Sequence, residues 1–134
     1  MTKFFLYTDG AARGNPGPAG AGAFICMGDG KAVAEIAEYL GETTNNVAEY
    51  KGLLFGLEKL IELGARDVEI RADSELMVRQ LNGQYKVKHP NLIPLYREAL
   101  ELLRKIPSFK IIHVRREQNK EADRLSNEAI DNHF

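Results

Sequence analysis

The 134-residue chain has no tryptophan, a single cysteine, no long apolar run and almost no net charge, and each shortage narrows what it can do. Cys26 has no second cysteine to pair with, which excludes an internal disulfide and suits a buried thiol in a reducing compartment. No stretch approaches the roughly 20 apolar residues that span a bilayer. Met1-Thr2-Lys3 leads into only a short apolar stretch ending at Tyr7, without the hydrophobic region and cleavage site of a secretory signal, so a cytoplasmic protein with no membrane partner is expected. Eighteen Lys and Arg stand against 19 Asp and Glu, a formal charge of −1, which argues against a protein that coats nucleic acid through bulk positive charge.

The near-balance is uneven along the chain. Residues 1–67 carry 6 basic and 9 acidic side chains, whereas residues 68–134 carry 12 and 10. The basic segments Lys86-Val87-Lys88-His89 and Arg115-Arg116 fall where regular structure is expected to stop. With 44% apolar residues and no repeat, low-complexity tract or linker, residues 1–134 are expected to form a single domain. The lack of a heptad or a sticky apolar stripe points to a monomer.

Aromatic and β-branched residues make 3–8 a strand, and the four glycines and two prolines from Gly10 to Gly20 read as a long turn. Strands at 21–27 and 31–40 follow around a Gly28-Asp29-Gly30 hairpin turn, the second alternating polar and apolar with a slip between Glu35 and Ile36. Thr43-Thr44-Asn45-Asn46 offers N-cap chemistry, and Val47, Tyr50, Leu54, Leu57 and Ile61 recur at helical spacing up to Gly64. A strand at 68–72 ends at Asp73, and Ser74 caps a helix that runs to Leu81 and stops at Gly83. A basic loop leads to a helix with Leu92, Leu95, Ala99 and Leu102 on one face. A strand at 109–114, a loop at 115–119 and a helix from Lys120 to about Asn132 complete the chain. The order β-β-β-α-β-α-α-β-α predicts an α/β fold: a five-stranded mixed sheet, three antiparallel strands then two parallel additions, flanked by helices.

Four acids stand where this punctuation singles them out. Asp9 ends the first strand, Asp73 ends the fourth, Glu49 lies in the first turns of the first helix, and Asp123 lies in the first turn of the last. If strands one and four are parallel neighbours, Asp9 and Asp73 emerge at one carboxyl edge, where open α/β sheets bind ligands. Helices starting at that edge can deliver Glu49 and Asp123. Such a cluster repels itself unless cations neutralise it. All-oxygen ligands suit Mg²⁺ or Mn²⁺, and no Cys/His set is present for zinc. Two such ions about 4 Å apart clamp an in-line phosphoryl displacement, which is nuclease chemistry. Any one of these acids alone is better read as turn or helix-end chemistry; their joint placement shifts the balance.

The segment from Tyr7-Thr8-Asp9-Gly10 through Arg13-Gly14-Asn15-Pro16-Gly17 to Gly20, followed by Thr43-Thr44-Asn45-Asn46-Val47-Ala48-Glu49, Ala72-Asp73-Ser74 and Asn119-Lys120-Glu121-Ala122-Asp123, resembles ribonuclease H of type 1. The resemblance covers nearly the whole chain, with the motifs in family order. It implies the ribonuclease H fold and hydrolysis of the RNA strand of an RNA/DNA hybrid to 5′-phosphate and 3′-hydroxyl ends. It also implies two Mg²⁺ ions, with Mn²⁺ a possible substitute, held by Asp9, Glu49, Asp73 and Asp123 as the catalytic set. Gly10, Asn15, Asn45 and Asn46 resemble minor-groove contacts able to sense 2′-hydroxyls, and Thr44 stands where relatives grip a DNA phosphate. Ser74 and Asn119 fall within the same motifs and are taken as substrate contacts.

The departures are equally specific. Many relatives carry a loop histidine before the last acid. His113 matches it by counting, yet Ile111-Ile112-His113-Val114 reads as strand interior, with His113 making a structural hydrogen bond, and the shortened loop puts Glu117 near the family position. Arg115 or Arg116 is the candidate partial substitute, as a phosphate-binding cation. Only Gln84 to Pro90 occupy the place of the basic handle of some bacterial relatives, so a compact form is expected. Double-stranded RNA is a second possible substrate that the residues do not decide, and the role of Glu75 stays open. A non-catalytic hybrid-binding module and another nuclease of the wider superfamily are the rival readings. The four carboxylates weaken the first, and the Asn45-Asn46 pair with the Gly10-to-Gly20 segment weakens the second.

Overall fold

The computed structural model describes residues 2–134. Strands β1 (Lys3–Ala12), β2 (Gly17–Met27) and β3 (Ala32–Thr43) precede helix α1 (Asn45–Glu62). Then come β4 (Asp67–Ala72), α2 (Glu75–Leu81), α3 (Ile93–Leu103), β5 (Ser108–His113), a 3-10 turn at Arg116–Gln118 and α4 (Lys120–Asp131). The sheet order is β3-β2-β1-β4-β5, antiparallel across β3-β2-β1 and parallel across β1-β4-β5, as the element order requires. No helix among the described residues is long and apolar enough to cross a membrane.

Helix α1 begins where Thr44 Oγ1 accepts the Val47 N–H at 3.3 Å, and it gives way at Leu63 to Gly64 with φ +73°. Its inner face, Tyr50, Leu53, Leu54, Leu57 and Leu60, packs with Leu6, Ile25, Val68 and Ile70 of the sheet. Each such leucine contributes roughly 1.5–3 kcal/mol by leaving water. α3 closes the same core with Leu92, Ala99 and Leu103, one residue on from the expected Leu102, which is half-buried.

Strand alternation places α4 on the opposite face of the sheet. Ala23 and Ile25 of β2 join the α1 core, while Gly20 and Gly22 point the other way. A Cβ at Gly20 would strike the Ser126 carbonyl and one at Gly22 the Ala122 carbonyl, so bare backbone lets α4 lie directly on β2.

The sheet departs from the sequence expectation in two places. The segment from Gly10 to Gly20 is mostly strand: β1 continues to Ala12, β2 starts at Gly17, and the turn is confined to residues 13–16, closed by the Arg13 N–H on the Pro18 carbonyl. Glycine lowers strand propensity, but its close approach to α4 outweighs that cost. The irregularity in β3 falls not at Glu35/Ile36 but at two points, where Val33 and Leu40 are passed over in the pairing with β2.

Candidate active site

The last rung of the parallel β1–β4 ladder pairs Thr8 with Ala72. Asp9 and Asp73 therefore leave that ladder side by side. Asp9 does not end its strand, because on the other side β1 stays paired with β2 through Gly22 and beyond. The carboxylate thus rises from the middle of a rigid strand at the point where β4 stops supporting it. Gly10 comes next, where a Cβ would collide with the backbone of Ala48 and Glu49. The lack of a side chain there seats the first turns of α1 on β1 and brings Glu49 over the sheet edge.

Asp9, Glu49 and Asp73 each present a carboxylate oxygen, and the three lie within 4.8 Å of one another. Asp123, in the first turn of α4, lines the same cavity of about 780 Å³ but stands outside that tight trio. Asp9 is buried and accepts the Gly10 N–H at 2.8 Å. Glu49 is half-buried overall, yet its Oε2 is shut away from solvent with no hydrogen-bond partner.

Burial, then the charge of Asp73, pushes the Asp9 carboxyl up to about 7, with the hydrogen bonds from Glu49 and Gly10 opposing and Asp123 adding to the rise. Burial first, then the charge of Asp9, holds Glu49 well above the usual carboxylate range. A protein gains nothing in stability from such a cluster. An orphaned buried oxygen, an all-oxygen donor set and strong mutual repulsion together fit a hard divalent cation held by Asp9, Glu49 and Asp73.

The rim of the cavity is polar and comes from separate elements. Asn15 Oδ1 accepts the Asn45 N–H at 3.0 Å, and Asn45 Oδ1 accepts the Ala12 N–H at 2.9 Å, so the two amides clasp the β1–β2 turn to the start of α1. Both side-chain oxygens are used there; Asn45 lines the cavity, whereas Asn15 does not. Asn45 and Asn46, both exposed, line the cavity together with the buried Gly10 and the half-buried Ser74. Ser74 Oγ also accepts the Met77 N–H at 3.3 Å as the cap of α2. Thr44 caps α1 and does not line the cavity. Arg115 and Arg116 do, both highly exposed, with Arg116 Nη2 3.9 Å from Asp123 Oδ1.

Asn119 is a correction. It is 1% exposed, and its Nδ2 donates to the Thr8 carbonyl at 2.9 Å, fastening the start of α4 to β1. A residue so enclosed makes no surface contact with a duplex. His113 closes β5 as its last residue rather than lying in the strand interior; it is exposed, lines the cavity, and its Nε2 is 3.3 Å from the Asp73 carbonyl. Glu75 points outward into an ion pair with Arg79 at 3.0 Å.

Residues 7–129 match the family described as reverse transcriptase-like. Ribonuclease HI of Halobacterium salinarum is 44% identical over 129 residues, 96% of this chain and 65% of that protein. LC11-RNase H1, solved in complex with an RNA/DNA hybrid, superposes with a TM-score of 0.92 at 46% identity, covering 97% of this chain and 98% of that one. The chain belongs to the type 1 ribonuclease H family. The bifunctional protein Rv2228c of Mycobacterium tuberculosis is 45% identical over 130 residues, 96% of this chain but only 36% of that protein. The chain thus spans about a third of the mycobacterial relative and about two thirds of the haloarchaeal one.

As a ribonuclease H, the chain is of the compact form, with residues 84–92 linking α2 to α3 without a helix. The cavity is also lined by Arg13, which lies within the first motif without a role assigned to it, and by Asn127, which lies outside the motifs. Asn127 stands four residues after Asp123, on the same face of α4, and that spacing was the available signal.

Proposed function

We propose that this protein is a metal-dependent endonuclease that cuts the RNA strand of RNA/DNA hybrids, leaving 5′-phosphate and 3′-hydroxyl ends. The observation that carries the proposal is the trio of carboxylates from β1, α1 and the end of β4, packed within 4.8 Å at one side of an open polar cavity. The hybrid held by LC11-RNase H1, a relative with nearly the same fold, supports the choice of duplex.

Asp9, Glu49 and Asp73 hold one divalent ion and Asp123 completes a second position, Mg²⁺ by preference with Mn²⁺ able to replace it. When bound, the ions supply an activated water and stabilise the leaving oxygen. The chain's own residues do the rest. Asp9, fixed mid-strand, sets the origin of the site. Glu49 joins it from α1 and Asp73 from the end of β4. Asn15, Asn45 and Asn46, with the bare backbone at Gly10, meet the shallow minor groove where 2′-hydroxyls distinguish RNA from DNA. Thr44 and Ser74 stand at helix N-termini, which favour phosphate, and Arg115 and Arg116 add exposed cations. The protein acts as a monomer in the cytoplasm.

A non-catalytic module would have no use for carboxylates whose burial and mutual repulsion raise their proton affinity so far. The test is a panel of end-labelled RNA/DNA, RNA/RNA, DNA/DNA and single strands, with Mg²⁺ or with EDTA. Cleavage of the RNA strand of the hybrid, lost in EDTA, is expected. Metal-independent binding without cleavage would favour the module, and cleavage of DNA another superfamily nuclease; RNA/RNA cleavage would add double-stranded RNA to the substrates.

A further inference from the structure

Asp123 is held differently from the other three acids. It sits on the first turn of a helix with its side chain 35% exposed, and its Oδ1 has two neighbours: Arg116 Nη2 at 3.9 Å and Asn127 Nδ2 at 3.3 Å. The two act in opposite senses. A guanidinium neutralises the carboxylate and competes with any cation for it. A neutral amide donor fixes the same oxygen and leaves the full charge in place.

The amide is itself oriented. Asn127 Nδ2 also donates to the Asp123 carbonyl at 2.9 Å, while its Oδ1 accepts Arg13 Nη2 at 3.4 Å. Arginine can only donate, so the amide oxygen must face Arg13 and the nitrogen must face Asp123. Arg13 is anchored in turn by Asp131, Nη1 to Oδ1 at 2.6 Å, one turn further along α4. Asparagine is a poor residue for a helix interior, so local propensity does not account for it there.

We infer that Asn127 is a positioning residue for Asp123, and that the relay Asp131–Arg13–Asn127–Asp123 aims the outlying carboxylate at the second cation position without neutralising it. This rests on the metal-dependent reading above. The relay also ties the tip of the β1–β2 hairpin to α4, so the element bearing Asn15 and the helix bearing Asp123 are set relative to each other by one chain of contacts.

The test reads metal uptake directly, without substrate. Metal-free protein is titrated with Mn²⁺ and free Mn²⁺ is followed by electron paramagnetic resonance, for wild type, Asn127→Leu, Arg13→Leu, Asp123→Asn and the Asp123→Asn/Asn127→Leu double variant. Wild type should show a weaker second binding step that Asp123→Asn removes. Asn127→Leu should weaken that step about tenfold, in the range typical of residues that orient metal ligands, and leave the first step unchanged; Arg13→Leu should weaken it by less. Asn127→Leu should change nothing further in the Asp123→Asn background. Unaltered binding by Asn127→Leu, or the same loss in both backgrounds, would overturn the inference while leaving the nuclease reading intact. Identical binding by wild type and Asp123→Asn would overturn the two-ion reading and this inference with it.

Discussion

Asp9 and Asp73 are consecutive steps beyond the last paired rung of β1 and β4, Thr8 with Ala72, so two carboxylates leave a parallel ladder together. Nothing in the packing separates them, and Glu49 closes on the pair from α1. The fold holds these charges together in spite of their repulsion, and that has measurable consequences.

The first concerns pH. Asp9 has a native pKa of about 7, far above that of an unfolded aspartate. Between those two values the native state binds a proton that the unfolded state does not, so stability falls as pH rises through that window and levels off above it. Metal-free protein should be more stable at pH 5 than at pH 8, by on the order of 3 kcal/mol, in denaturant titrations at the two pH values. Excess Mg²⁺ at pH 8 should restore much of the difference.

Replacing the central charge separates function from stability. Asp9→Asn keeps an oxygen to accept the Gly10 N–H and removes the repulsion toward Asp73 and Glu49. Cleavage of hybrid should be abolished, while the metal-free protein at pH 8 should gain about 1–3 kcal/mol and depend less on pH, the rest of the dependence coming from the buried Glu49. A clear loss of metal-free stability would contradict the crowded-carboxylate account.

Gly10 tests the seating of α1. A methyl group there would run into the Ala48–Glu49 backbone. Gly10→Ala should cost at least about 2 kcal/mol by overpacking and should weaken Mn²⁺ binding as well, because it displaces Glu49. Thermal denaturation together with metal titration reads both effects.

Arg115 and Arg116 are exposed and serve no packing role, so Arg115→Ala and Arg116→Ala should leave stability unchanged. If each guanidinium neutralises one phosphate, its removal should flatten the dependence of log affinity on log salt by about one unit. Hybrid binding across a salt series checks the slope; single-turnover cleavage near the native rate in both variants would remove these arginines from the substrate path.

Much of this was legible in the residues. The helices announced themselves through Thr44, Ser74, Gly64 and Gly83, and the four acids stood out because strand ends and helix starts are readable from turn chemistry. What was hidden depends on contacts between elements. Gly17 and Gly20 read as turn because nothing in a single sequence says that β2 already runs there, with a helix lying on the bare backbone of Gly20. Asn119 read as a surface contact because its motif is polar, yet it is buried and donates to the Thr8 carbonyl. Asn127 carried no propensity signal, and its meaning appears only once Arg13 arrives from the hairpin turn on one side and Asp123 stands on the other.

The formal charge of −1, which at first weighs against a nucleic-acid enzyme, looks different once four acids are assigned to cations, since the remaining 15 acids are outnumbered by 18 bases. Affinity for a duplex should then depend on metal and salt more than on a broad basic surface.

The most direct measurement is cleavage of an RNA/DNA hybrid labelled on the RNA strand, with wild type and Asp73→Asn, across Mg²⁺ concentrations and in EDTA, with mapping of the product ends. Internal cuts in the RNA strand alone, ending in 5′-phosphate and 3′-hydroxyl, present with Mg²⁺ and absent both in EDTA and for Asp73→Asn, are predicted. Cleavage that persists in EDTA or in the Asp73→Asn variant, or an intact hybrid at every Mg²⁺ concentration, would contradict the account.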